Sequence, residues 1–365
     1  TAQLNETLKG KLTIEDMDPT LIRGFPGIAI SLNNVLLRDS LWEVHKNDLL
    51  KAKHIYVSVN AWSVIKGAPK IRDVNISEAF IYLFVDSTGY SNANIFKLKE
   101  NPDTASKGKK TQPRINHLTL TNVDFTLENL SKKKHFHFGI VEVAGEIHYN
   151  DSGWRANVTL NTLVKQFAFN TDNGSFIKDK KLKADLDFGF NKRTRQLTIP
   201  SQEIDVNGDD IDFAATFNLH DTAKTYKIAL TVDAIKFGEA RSMVSPNIQS
   251  KLRSIDFEEE IEVKAQISGS LEKRGDPLVH VAWKVEDNVM TTPGGKITEC
   301  NMAGSFTNAA NPAMGQNDRN SLIQVPRLTG KWNDIAFTAD SAKVLDLIDP
   351  LISAHVSSKF PLKKI

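Results

Sequence analysis

The chain has 365 residues, with 46 Lys plus Arg against 44 Asp plus Glu, a net charge of +2, 40% apolar residues and one cysteine. That length serves two to three domains of roughly 150 residues or one elongated all-β body, and the ordinary apolar and charged shares exclude a wholly disordered chain. Balanced charge removes the concentrated basic surface that gripping nucleic acid requires. No apolar run reaches the roughly 18 residues of a membrane-crossing helix, and Cys300 alone cannot form an internal disulfide, so it does not report on compartment.

In chain order the dominant pattern is alternation with period two, which sends every second side chain to one face of a sheet. Ile28, Ile30 and Leu32 alternate, then Ile55, Val57 and Val59, then Ala79, Ile81, Leu83 and Val85. Phe80, Tyr82 and Phe84 hold the opposite phase, which predicts a strand covered on both faces. Leu118 and Leu120 give way to Val123, Phe125 and Leu127 with a phase change at Thr121-Asn122, and a slip at Gly139, between Phe136, Phe138 and Val141, Val143, predicts a bulge. Alternation returns at Ala156, Val158, Leu160, at Leu182 to Phe190 (including Leu186 and Phe188), at Phe213, Ala215, Phe217, at Ile228, Leu230, Val232, at Ile261 to Ile267 and at Val279 to Val285.

Turn residues stand between these runs: Asp151-Ser152-Gly153, Asn173-Gly174, Asn207-Gly208, Arg274-Gly275-Asp276-Pro277 and Pro293-Gly294-Gly295. Gly and Asn tolerate the positive φ that tight hairpins demand, so successive strands are expected to pair antiparallel with their sequence neighbours. Helices are expected at 61–66, stopped by Gly67, at 239–254, broken by Pro246, where they are expected to cover a sheet face, and at 342–351. The lysine runs at 107–110 and 132–134 read as solvated loop tips.

Motifs that carry chemistry are sparse. His135 and His137 share a strand face at a spacing metal sites use, but a third ligand would have to come from a distant His117 or His148, so no metal site is expected. Asp205 to Asp210 opens like a calcium loop and lacks its glycine and its closing glutamate, which makes it a hairpin. No nucleophile elbow, zinc-protease motif, phosphate loop or dinucleotide fingerprint is present. Arg274-Gly275-Asp276 is explained by turn composition, and Cys300 reads as a core residue. A non-enzymatic protein without cofactor is expected. Glycosylation sequons at Asn75, Asn157 and Asn173 fall on strands and turns, favouring a bacterial source. The chain begins at Thr1 and shows no signal-peptide pattern, which predicts that an addressing segment has been cut away.

At residues 25–94 the order of motifs is specific. FPGIAISLNNVLLRDS is followed by LLKAKHIYVSVN and by WSVIKGAPKIRDVNISEAFIYLFVDSTGYSNANIF, closing on Asp86, Gly89 and Asn92. This order resembles the amino-terminal repeat of the AsmA-like family of Gram-negative envelope proteins, and residues 328–365 resemble a later strand and Pro-containing segment of that family. The resemblance implies an AsmA-like amino-terminal β repeat with a short helix at 1–105 and the truncated start of a further repeat at 321–365; between them, where only generic alternating strands match, the alternation itself predicts an antiparallel β meander at 106–320 with a helical insertion near 239–254. It also implies a periplasmic protein tethered to the inner membrane by a helix absent from this chain, built on an elongated, curved antiparallel sheet, open as a groove or rolled, and related to bridge-like lipid transfer proteins.

A diacyl lipid in water exposes roughly 30 methylenes at about 0.8 kcal/mol each, on the order of 20 kcal/mol, and a sheet with one apolar face shields them without catalytic chemistry. The lipid-facing residues expected on this reading are Ile28, Ile30, Leu32, Ile55, Val57, Val59, Ile81, Leu83, Val85, Phe136, Phe138, Leu186, Phe188, Phe213 and Phe217, with phospholipid acyl chains as the partner. The rival expectations are an envelope scaffold or chaperone assisting outer-membrane protein assembly by strand addition, and a glycan-binding adhesin.

Overall fold

A computed structural model describes residues 8–21, 27–60, 71–96, 114–220 and 223–359. The helix expected at 61–66, the lysines at 107–110, Trp62 and the Phe25-Pro26 pair lie outside them. The protein is mainly β: among the described residues 18 strands belong to one mostly antiparallel sheet, with a few short helices.

The chain divides into two compact units. The first, residues 1–167 and 179–193, contains β1 (Gly10–Leu21), β2 (Gly27–Asp39), the one-turn α1 (Trp42–His45), β3 (Leu50–Asn60), β4 (Ile71–Val85), a 3-10 turn (Asn92–Phe96), β5 (His117–Asn129), β6 (Lys134–Asn150), β7 (Gly153–Ala168) and β8 (Lys180–Asn191). Pairing follows chain order and is antiparallel for β1–β2, β2–β3, β3–β4, β5–β6 and β7–β8. The exception is β4–β5, which is parallel. A parallel neighbour needs a long crossover, and residues 86–116 supply it.

A crease crosses this unit. Asn34, Glu78 and Asn122 all have positive φ, at 50°, 49° and 53°, and each falls at the same level of the ladder, between the pairs Asn33–His54 and Val35–Ala52, Ser77–Thr121 and Ala79–Val123. A left-handed residue reverses the alternation, so Leu32 and Val35 join one cluster with Ala52, Ile55, Ala79 and Val123. The phase change expected at Thr121-Asn122 is this crease. On its β5 side Gly139 shows no bulge: it pairs with Asp124 in an unbroken register, and a Cβ on it would meet Lys165 Cε at 3.1 Å. Of the lysine run 132–134, Lys134 pairs with Asn129 inside the hairpin and is buried, which pushes its ammonium pKa down, with Lys132 adding to the effect.

The second unit, residues 168–178 and 194–365, contains β9 (Gln196–Val206), β10 (Asp209–His220), β11 (Ala223–Ile235), α2 (Phe237–Met243), α3 (Pro246–Leu252), β12 (Asp256–Phe257), β13 (Ile261–Ser270), β14 (Leu278–Thr292), β15 (Gly295–Thr307), β16 (Leu322–Trp332), β17 (Ile335–Leu345) and β18 (Leu351–Ser358). Antiparallel pairs run β9–β10–β11–β13–β14–β15–β16–β17–β18, with β12 beside β14. Asn207 and Gly208, at φ 62° and 99°, form the β9–β10 turn, and Gly208 N–H donates to Asp205 at 2.8 Å, so the calcium-like segment is a hairpin. The helix broken at Pro246 is the α2–α3 pair. The helix expected at 342–351 is absent: β17 continues to Leu345, and Asp346, at φ 58°, accepts from the N–H groups of Ile348 and Asp349 in a turn that leads into β18. Helix-like spacing of Val344, Leu347 and Leu351 yields here to ladder pairing of Val344 with Ile323.

Candidate functional site

Register decides which alternating residues meet. In the first unit Leu12, Leu37, Leu50, Ile81, Phe125 and Phe138 stand opposite one another across six strands. Beyond the crease Leu32, Ile55, Ile76, Leu120 and Val143 form a second row. In the second unit an apolar row crosses eight strands: Phe213, Leu230, Ala265, Val281, Phe306, Ile323, Val344 and Ile352. The adjacent row, on the opposite face by the pleat, reads Asp212, Thr231, Lys264, Ala282, Ser305, Gln324, Lys343 and Ser353. One face is therefore apolar and the other wet. The apolar row is half-buried as far as Val344, and among the described residues the main strand contacts within each unit are between hydrogen-bonded neighbours, with no second sheet stacked on the first.

Of the sequence-predicted residues, Leu32, Ile55, Val57 and Ile81 belong to the crease cluster. Ile30 pairs with Val57, and Ile28 holds the register position opposite Val59. Leu83 packs at the end of this face against Leu37, Leu49 and Ile95, and Val85 lies two residues further along the strand. Phe136 and Phe138 meet Phe167 at ring distances of 5.1 and 6.2 Å. Leu186 pairs with Val158 and Phe188 with Ala156. Phe213 pairs with Leu230 and Phe217 with Tyr226. Sequence reasoning missed most of the eight-strand row; its signal was the alternation itself, but neighbours across the ladder are not neighbours in the chain.

Each unit closes part of its apolar face. In the first, the 3-10 turn brings Ile95, fully buried, against Leu37 and Leu49. Asp86 accepts from Thr88 N–H, Thr88 Oγ1 and Tyr90 N–H at 2.7–3.0 Å, and Gly89, at φ 94°, makes the reversal a side chain would strain. Asn92 then donates to Tyr82 O at 2.7 Å and accepts from Phe84 N–H at 2.9 Å. Asp86, Gly89 and Asn92 are thus a structural clasp. On the opposite face Phe84 is buried beside His45, whereas Phe80 is 62% exposed; the strand is covered on both faces only at its carboxyl end, where α1 reaches it. His45 Nε2 lies 2.9 Å from buried Asp39, which also accepts from Tyr90 Oη at 2.5 Å, a trio the sequence did not announce.

In the second unit the segment 169–178 lies on the apolar face: Phe169 stacks on Tyr226 at 4.9 Å, and Asn170 and Asn173 donate to Asp276 at 2.8 and 2.6 Å. The Asp276 carboxylate of the Arg-Gly-Asp tripeptide is thereby engaged. Met243 O accepts from Ile177 N–H, and Lys251 joins α3 to Leu347 O and, at 3.5 Å, to Asp318. Helices α2 and α3 are fastened to the segment that covers this face.

Polar clusters hold the wet face together. Burial pushes the Asp124 carboxyl pKa up, but hydrogen bonds from Lys165 at 2.6 Å and His137 at 2.8 Å outweigh it, and the net pKa is lowered. A lowered carboxyl contributes stability above its unfolded pKa of about 3.9 and loses it as pH falls further. Asp124→Asn is therefore expected to flatten the loss of stability between about pH 4 and pH 2, by no more than about 1 kcal/mol for so exposed a pair, measured by urea unfolding at several pH values. His135 and His137 stack at 6.3 Å, yet no cluster of three metal-ligating side chains occurs among the described residues. Cys300 is fully buried, and burial pushes its thiol up to about 11.

The class that these features define is a mainly β protein whose sheet presents one apolar and one polar face. Compared with models of protein families, with curated proteins and with solved structures, the sequence finds no match.

Proposed function

We propose that the protein is a non-enzymatic lipid-binding protein of the bacterial periplasm, tethered to the inner membrane in its full-length form, that helps to move phospholipid between inner and outer membranes. The observation that carries this reading is the unbroken apolar row from Phe213 to Ile352 beside a polar row of equal length. Acyl chains laid along such a face are removed from water at about 0.8 kcal/mol per methylene, while headgroups remain in solvent. Lateral packing half-buries these side chains and leaves their outer ends for a guest. The resemblance of residues 25–94 to the AsmA-like family supports the same reading.

Native mass spectrometry and lipid extraction test it. Purified protein is expected to carry phospholipid and to take up fluorescent phospholipid from liposomes. Protein that carries none and takes none up would overturn the reading and favour an envelope scaffold.

A further inference from the structure

We propose that the polar face of the amino-terminal unit is a docking surface for an anionic lipid bilayer, held by Lys9, Lys11 and Lys51 around exposed apolar side chains. This face departs from the purely solvated pattern of the second unit. Its row Thr13, Leu36, Lys51, Phe80 and Asp124 crosses five strands, and Phe80 stands in it 62% exposed, one strand away from the half-buried Leu36–Lys51 pair. Helix α1 packs on the same face. Arg38, two residues along β2 from Leu36, lies 3.7 Å over the Trp42 ring, and His45 rests against Phe84. The turn of α1 points Val44 into solvent at 79% exposure, and Leu41 at its start is exposed as well.

The charges around these side chains are unevenly matched. Arg38 pairs with Asp48, Lys46 with Glu43 and Lys53 with Glu78, while buried Asp39 is engaged by Tyr90 and His45 and Glu15 accepts from Asn34. Lys9, Lys11 and Lys51 are exposed and have no acidic partner among the described residues. Each borders a hollow of about 430 Å³: Lys9, Lys11 and Ser40 stand in the wall of one, and Leu36, Lys51 and Phe80 in the wall of the other. Cations without counter-ions, set around apolar side chains, complement a layer of phosphate groups above hydrocarbon. A protein partner fits less well, because lysine is depleted at the core of protein interfaces. The proposal does not depend on acyl chains occupying the apolar face.

Vesicle flotation tests it. The protein is expected to float with vesicles of phosphatidylcholine and phosphatidylglycerol in equal parts, to stay behind with phosphatidylcholine alone, and to be released as salt is raised. The combined Lys9→Gln, Lys11→Gln and Lys51→Gln variant is expected to bind the anionic vesicles about a hundredfold more weakly, at roughly fivefold for each lysine. Phe80→Ser is expected to weaken binding at least about fivefold. These positions are exposed, so the circular dichroism spectrum of each variant should match the parent's. Docking and lipid carriage separate: Phe80→Ser keeps the phospholipid that the parent carries, whereas Val281→Lys, on the apolar face of the other unit, floats like the parent. Equal flotation with both kinds of vesicle, or a triple variant that floats like the parent, would overturn the proposal. Absence of flotation with the anionic vesicles would overturn it too, and would leave an acidic protein as the partner of this face.

Discussion

Val281→Lys is expected to lose at least nine-tenths of the phospholipid that the parent protein carries, whereas Ala282→Lys, one residue along the same strand, keeps it. Val281 lies in the middle of the apolar row between Ala265 and Phe306, and Ala282 lies in the polar row between Lys264 and Ser305. An ammonium placed among acyl chains must be desolvated or must displace the chains, at a cost of several kcal/mol; each 1.4 kcal/mol is a factor of ten in affinity. On the wet face the same ammonium remains hydrated. The measurement is lipid content by extraction and mass spectrometry, with thermal unfolding to show that both variants fold. Trp283 gives a second readout, because it pairs with Val263 in the neighbouring apolar row and its indole lies over Gly304, where a Cβ would meet the ring at 2.3 Å. Its emission is expected to shift to the blue when lipid binds. Equal lipid content in the two variants would sink the assignment of this face.

Asn92→Ala is expected to destabilise the amino-terminal unit by about 2–4 kcal/mol. The Asn92 side chain is fully buried and satisfies two backbone groups of β4, the Phe84 N–H and the Tyr82 carbonyl. Removing it leaves a donor and an acceptor in the interior without partners, each costing about 1–3 kcal/mol, and loosens the turn that delivers Ile95 to Leu37 and Leu49. Asn92→Asp keeps the acceptor and loses the donor, so its cost includes a buried carboxylate as well. Urea unfolding measures the loss, and hydrogen exchange at the Phe84 amide locates it: protection there should fall in the variant while that of Ala156, in β7, falls only as far as global stability does. If the Asn92→Ala variant unfolds at the parent's urea midpoint, the clasp is not what holds this end.

Much of this architecture was legible in the chain. Alternation is a local property, since the pleat fixes the direction of each side chain relative to the next, so strands such as Ala79 to Val85 and the phase change at Asn122 followed from residue order. So did the turn at Asn207-Gly208 and the break at Pro246, where backbone chemistry is local. What failed to read out was non-local. Val344, Leu347 and Leu351 carry a helical spacing, and only the partner strand β16 turns that stretch into β17. The parallel joining of β4 and β5 leaves no trace in either strand, because alternation is the same whichever way a neighbour runs; the long connection 86–116 was its one sign.

By itself, then, the sequence determined that this protein is a sheet with an apolar and a polar face, because side-chain direction is set residue by residue. Which apolar residues form continuous rows, and where the crease runs from β2 to β5, were decided by the tertiary structure. Register is a relation between segments far apart in the chain, and a shift of one residue in any ladder would have broken the row from Phe213 to Ile352 while leaving every local pattern intact.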